Sequence, residues 1–212
     1  MKIALINENS QAAKNALIFE SLKKVTEPMG HTVFNYGMYG PEDEAVLTYV
    51  QNGILAAILI NSKAADYVIT GCGTGEGAML ALNSFPGVLC GHIVDPSDAY
   101  MFAQINDGNA IALPFAKGFG WGAELNLEYI FEKLFLGEPG QGYPRDRVIP
   151  EQRNKKILDA VRAHTLKNLI TCLKGLDPAL VKGAIGGKRF GEYFFANCQD
   201  DEIAAYIKGL LA

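Results

Sequence analysis

From Met1 to about Leu136 the chain alternates short runs of β-forming residues with longer amphipathic stretches, and few folds accommodate that alternation. Buried strands joined by helical crossovers pair in parallel, are covered by helices on both faces, and bind ligands beyond their carboxyl ends. Lys2–Ile6, His31–Tyr36, Tyr67–Thr70, Gly87–Val94 and Asn109–Leu113 read as five strands. Ser10–Met29, Asp43–Ser62, a helix through Met79 and Leu82, Pro96–Ile105 and Gly122–Leu136 read as the helices that follow them. The expected architecture over residues 1–137 is α/β: a three-layer αβα sandwich, Rossmann-like, around a five-stranded parallel sheet.

The pattern breaks at Gly137–Pro144, where glycine and proline are too dense for a helix to continue. Beyond it, Glu151–Lys174, Asp177–Lys182 and Asp200–Leu211 read as helices with no strand among them. Residues 138–212 are therefore expected to form a C-terminal helical extension, too small to stand alone and packed on the main domain or on a neighbouring subunit.

Composition narrows the partners. With 49% of 212 residues apolar, the chain can bury a core. A formal charge of -4 argues against nucleic acid, whose binding needs clustered cations, but leaves room for a small anion. The longest apolar run, Gly53–Ile60, is far short of the roughly 20 residues of a membrane span. A strand pattern begins at the first residues with no leader before it, so a cytoplasmic protein is expected, with no membrane partner. The four cysteines, Cys72, Cys90, Cys172 and Cys198, form no C-x-x-C pair and read as free thiols.

The segment Gly71-Cys72-Gly73-Thr74-Gly75-Glu76-Gly77 follows a strand and opens a helix. Glycine at alternate positions lets bare backbone amides approach an anion at the positive end of that helix. A thiol in such a turn is expected to ionise more readily and to serve as base or nucleophile; the plainer alternative is a small buried thiol. The same residues, Gly73 to Ala78 with Asp95 about twenty positions on, also fit a dinucleotide fingerprint, although here the turn follows the third strand instead of the first.

The turn, together with Ala81-Leu82-Asn83, Pro86-Gly87-Val88, Asp95-Pro96-Ser97-Asp98-Ala99 and Gln104-Ile105-Asn106-Asp107-Gly108-Asn109, resembles the type-B ribose-5-phosphate isomerase and galactose-6-phosphate isomerase family, in order and spacing from Lys2 to Gly137. The resemblance implies an aldose–ketose isomerase acting on a small phosphorylated sugar through a metal-free 1,2-enediol, with no cofactor. Cys72 is then the base that moves the proton, the Gly73, Gly75 and Gly77 amides hold the enediolate oxygens, Gly71 and Glu76 belong with them to the substrate-binding turn, Asn106 contacts the substrate, and Thr74 is placed to hydrogen-bond a hydroxyl. It also implies a homodimer or homotetramer with sites near the interface. Arginines past the boundary, Arg145 and Arg153 among them, are expected to face the anionic group.

The chain departs from the family pattern at Glu8-Asn9, at Ile105 and at Ile149, where a second arginine is expected beside Arg153. The family's aspartate–histidine pair after the first strand is Glu8-Asn9 here, and its ring-opening histidine is Ile105, which cannot transfer a proton. Glu8 and Asn9 stand as catalytic and substrate-binding candidates, and His92 is a further acid–base candidate. A substrate that needs no ring opening, such as a tetrose phosphate, makes the missing histidine unnecessary. A sugar-phosphate-binding subunit without activity of its own is the alternative from another class.

Overall fold

The computed structural model describes residues 1–212. Five strands, β1 (Lys2–Leu5), β2 (Thr32–Asn35), β3 (Tyr67–Cys72), β4 (Cys90–His92) and β5 (Ala110–Pro114), form one sheet in the order β2-β1-β3-β5-β4, every pair parallel. The expected three-layer architecture is thus observed. The chain steps from β1 to β2 on one side and then crosses to β3, β4 and β5 on the other, so the topological switch point, where such sheets open a crevice, lies between the carboxyl ends of β1 and β3.

Helices α1 (Asn15–Thr26), α4 (Pro96–Met101) and α5 (Ala123–Leu134) cover one face, where Ile18, Leu22, Ala99, Leu127, Ile130 and Phe131 close over Ile3, Leu5, Ile69 and Ile111. On the other face lie α2 (Tyr49–Asn61) and α3 (Glu76–Asn83). All of α2 from Asn52 to Ile60 is buried. A helix that is apolar all round must be covered all round, and the cover is the C-terminal segment: α7 (Leu169–Gly175), α8 (Pro178–Ala184), α9 (Phe190–Asn197) and α10 (Asp201–Leu211). Their Leu173, Val181, Ile185, Phe190, Phe194 and Ile207 share a single core with Ala4, Ile6 and the α2 residues. Phe190 and Phe194 stack at 5.0 Å, and burial of each is worth about 2–3 kcal/mol. The change of composition at residue 137 is not a break in the core.

The element boundaries move for identifiable reasons. Helix α2 starts at Tyr49 and not at Asp43, because Thr48 and Gln51 form a reciprocal capping box. The stretch expected as one helix over Glu151–Lys174 is two, α6 (Val148–Thr165) and α7, separated where Asn168 caps the second by accepting from the Thr171 amide. The stretch expected as a helix over Ser10–Met29 opens with a 3-10 turn, Asn9–Lys14, before α1. Helix α9 is masked in the sequence by its glycine-rich approach, Gly186-Gly187 and Gly191. No helix of the chain is long and apolar enough to cross a membrane.

Candidate active site

The Cys72 turn sits at the switch point. Strand β3 is buried along its whole length, and its last polar side chain, Thr70, accepts from Asn52 Nδ2 of α2 at 3.0 Å. The turn is then stitched to β5, whose extension donates Phe115 N–H to the Cys72 carbonyl and Ala116 N–H to the Gly73 carbonyl, both at 2.9 Å. Cys72 is 8% exposed, and its Sγ accepts from the Gly75 amide at 3.2 Å, so the sulfur is held at the mouth of α3.

The glycines divide by task. A side chain at Gly71 would collide with the Leu113 carbonyl and the Phe115 ring, so bareness there is a packing requirement. Gly75 has φ +81, and a Cβ there would lie 2.8 Å from the His92 ring. At Gly73 and Gly77 a Cβ would make ordinary contacts only, 3.8 Å to Ala116 and 3.4 Å to Tyr49. Packing does not demand glycine at those two positions, and their bare backbone leaves room for a ligand to approach. Thr74 and Glu76 are exposed, Glu76 in the first turn of α3.

His92, at the end of β4, is brought to this turn. Its Nε2 lies 2.8 Å from the Thr74 carbonyl oxygen. A carbonyl only accepts, so Nε2 carries a hydrogen, and the ring supports the turn from below. Cys90, two residues earlier, is a core thiol whose ionisation burial pushes far up. Two motif asparagines outside the turn are structural braces: Asn83 bonds both the Cys90 carbonyl and amide, and Asn109 bonds the Leu89 amide and the Gly87 carbonyl. Asp95 caps α4 by accepting from the Ser97 and Asp98 amides. It follows β4, which is separated from β3 by β5, so it is not on the strand beside the turn where a dinucleotide ribose needs its acid.

Glu8 and Asn9 leave β1 beside the turn. The Glu8 carboxylate is 3% exposed and occupied locally, accepting the Ser10 amide at 2.9 Å and the Ser10 hydroxyl at 2.6 Å. Asn9 is exposed, its side chain makes no hydrogen bond within the chain, and its amide donates to the Leu47 carbonyl at 2.7 Å. Lys14, which the sequence did not single out, brings a cation to this rim: its Nζ bonds the Phe115 carbonyl and Gln11, and stands 4.6 Å from the Phe119 ring centroid. No pattern in the sequence marks it, because the contact spans 101 positions.

The remaining candidates are elsewhere. Asn106 ends a π turn (Phe102–Asn106) that leads into the amino end of β5, whereas Cys72 pairs with Pro114 at the carboxyl end. The four steps from Ala110 to Pro114 put about 13 Å of sheet between the two ends. Asn106 lines a cleft of about 340 Å³ with Glu151, Asn154 and Lys155 of α6, and Arg153 lines a separate one with Ile149 and Lys156. Arg145 is exposed on the 3-10 turn (Arg145–Arg147) before α6. Within one chain, therefore, the Cys72 set and the Asn106–Arg153 set do not meet. No group of three or more His, Cys, Asp or Glu side chains is arranged to ligate a metal.

A parallel α/β sheet carries a glycine-lined thiol turn at its switch point, and the comparisons identify the class as sugar isomerases. The model described as Ribose/Galactose Isomerase matches residues 3–139, and one described as Ribose-5-phosphate isomerase matches residues 164–210. The chain belongs to the Ribose/Galactose Isomerase family. It is similar to a solved 4-deoxy-L-threo-5-hexosulose-uronate ketol-isomerase complexed with a tartrate, at 62% identity over 100% of this chain and 99% of that one, with a TM-score of 0.98. It is also similar to a ribose-5-phosphate isomerase from Vibrio parahaemolyticus, at 54% identity over 99% of each chain with a TM-score of 0.96. A type B ribose 5-phosphate isomerase from Trypanosoma cruzi, 21% identical over 77% of this chain and 99% of that one with a TM-score of 0.62, shares the fold. No curated protein sequence matches.

Proposed function

We propose that this isomerase interconverts an open-chain, anionic aldose and its ketose, with 4-deoxy-L-threo-5-hexosulose uronate as the first substrate to test. Cys72 is the base. Its thiolate takes the proton from C2, the C1–C2 double bond forms, and the negative charge moves to O1, where the amides of the Gly73–Gly77 segment stabilise it. Cys72 then delivers a proton to C1, one that has exchanged with solvent in part of the turnovers, and the O2 proton is lost as O1 gains one, directly or through solvent, leaving the ketone at C2 and a hydroxyl at C1. The step needs neither a metal ion nor a cofactor.

The observation that carries this reading is the thiol of Cys72 held by the Gly75 amide at a turn where Gly73 and Gly77 are bare without a packing reason. The substrate follows from what is missing. A 4-deoxy-5-hexosulose has no hydroxyl at C4 and a carbonyl at C5, so neither hydroxyl that closes a furanose or pyranose ring is present. Ile105 in place of the family's ring-opening histidine, and Asn9 in place of its phosphate-side histidine, suit a substrate that is open-chain and carries a carboxylate. The similarity to the uronate ketol-isomerase supports the same choice. A phosphorylated tetrose, pentose or hexose is the second reading, favoured by the similarity to the Vibrio parahaemolyticus ribose-5-phosphate isomerase.

The reading includes a homodimer or homotetramer. Asn106 and Cys72 act on one substrate only if a second copy presents its Asn106 rim to the Cys72 turn, because about 13 Å of sheet separates them within a chain. Helix α6 supports this: none of its 18 residues is buried, and Ile149, Ile157, Leu158 and Val161 stand in solvent.

The experiment is solvent deuterium incorporation with the uronate, ribose 5-phosphate, a tetrose phosphate and galactose 6-phosphate. Turnover of the uronate alone is expected, and exclusive turnover of the ring-forming phosphates would replace the first reading with the second. Cys72→Ala is expected to fold and to lose exchange by at least about 10²–10⁴-fold; an active alanine variant removes the thiolate mechanism.

A further inference from the structure

The loop leaving β5 beside the Cys72 turn reads Lys117-Gly118-Phe119-Gly120-Trp121-Gly122. Its root is held by the bonds from Phe115 and Ala116 to the turn. Phe119 is held too, meeting the Phe115 ring edge-on at 6.1 Å with the Lys14 ammonium 4.6 Å from its centroid. Trp121, two residues further, is held by nothing: at 107% relative exposure the whole indole stands in water. Gly118 and Gly122 adopt φ +65 and +81, and a Cβ at Gly118, Gly120 or Gly122 would find no atom within 4 Å. Neither packing nor a positive φ explains glycine at 120; the backbone around the indole is held by the Ala123 amide on the Gly120 carbonyl at 3.0 Å, and Gly122 is fixed as the cap of α5, its carbonyl accepting from Leu125 and Asn126.

We infer that Trp121 is a substrate-contact residue which folds over the sugar when the Cys72 turn is occupied. This rests on the function proposed above. With Phe119 and the α5 cap at Gly122 as fixed ends, rotation of the Trp121 side chain and of the backbone at Gly120, at the expense of the single Ala123–Gly120 bond, carries the indole inward over the carbons that do not react. An indole face pairs with apolar C–H surface, and its N–H is a donor for a hydroxyl or a carboxylate. The methylene at C4 of a 4-deoxy sugar is such a surface, so Trp121 discriminates for it and against a C4 hydroxyl. Covering the site also excludes water from the enediolate, which strengthens its hydrogen bonds to the turn amides.

Trp121 is the single tryptophan of the chain, so intrinsic tryptophan fluorescence reports on it alone. The free protein is expected to emit as a water-exposed indole; saturating uronate should shift that emission to the blue and protect it from acrylamide quenching. Trp121→Ala should leave thermal stability unchanged and raise KM about tenfold, or about 1.4 kcal/mol, with Trp121→Phe recovering part of the loss. Turnover with unmoved emission overturns this inference and leaves the proposed function standing. Emission moved by a sugar or by tartrate, with no sugar turned over, does the reverse. No response in either assay overturns both. Blue emission in the free protein that reddens on dilution makes Trp121 an anchor between subunits instead, and also overturns the inference.

Discussion

Gly73 and Gly75 lie two residues apart in the same turn, yet substituting them separates catalysis from folding. Gly75 combines φ +81 with a Cβ position 2.8 Å from the His92 ring and 2.9 Å from the Leu113 carbonyl carbon, so an added methyl is both strained and overpacked. Gly75→Ala should cost about 2–4 kcal/mol and lower Tm by on the order of 10 °C in a thermal melt. Gly73→Ala meets only Ala116 at 3.8 Å and should melt like the parent. Its effect belongs in the kinetics, where a methyl between amide and oxyanion is expected to lower kcat about tenfold or more. Unchanged kcat would mean that Gly73 makes no close approach to the substrate. The turn is legible in the sequence as a glycine-spaced thiol. Which of its glycines serve packing is not, because that depends on Phe115, Leu113 and His92, 17 to 44 positions away.

Single elements behave as their caps dictate. Helix α4 begins at Asp95, whose carboxylate accepts from the Ser97 hydroxyl at 2.6 Å and from the Ser97 and Asp98 amides. The Ser97 hydroxyl first, and the Asp98 amide after it, hold this carboxyl below the usual carboxylate range. A carboxyl whose folded pKa is depressed contributes stability that is present above its unfolded pKa and lost as pH falls through the folded value. Asp95→Ala should therefore cost about 1 kcal/mol near neutral pH, and its deficit against the parent should close as denaturation is followed down through the acid range. A deficit that persists at low pH would assign the effect to the loop and not to the ionised cap. The cap is a local signal, carried entirely by the run Asp95-Pro96-Ser97-Asp98. The Thr48 and Gln51 box is equally local, but the acidic run Glu42–Glu44 ahead of it competes as a helix start and belongs to a loop instead.

At the scale of the whole molecule, α6 is the long helix with no buried residue, tied to the domain by polar contacts such as Arg162 to the Val88 carbonyl. Ile157 is exposed in the middle of it, so Ile157→Glu should leave the monomer fold intact. If a second copy covers this helix, the variant should dissociate at protein concentrations where the parent remains associated, as read by sedimentation, with activity falling in parallel. Unaltered sedimentation would place the interface elsewhere. The sequence by itself determined the βα repeat, the parallel sheet and the thiol turn, because hydrophobic period, glycine spacing and strand–helix junctions are properties of neighbouring residues. Even the cover over α2 left a trace, as the all-round apolar run Gly53–Ile60. Only the tertiary structure decided the strand order β2-β1-β3-β5-β4, the arrival of His92 and Lys14 at the turn, and the separation of Asn106 and Arg153 from Cys72. Those depend on which end of which strand lies beside which, and spacing along a chain carries no distance across a sheet.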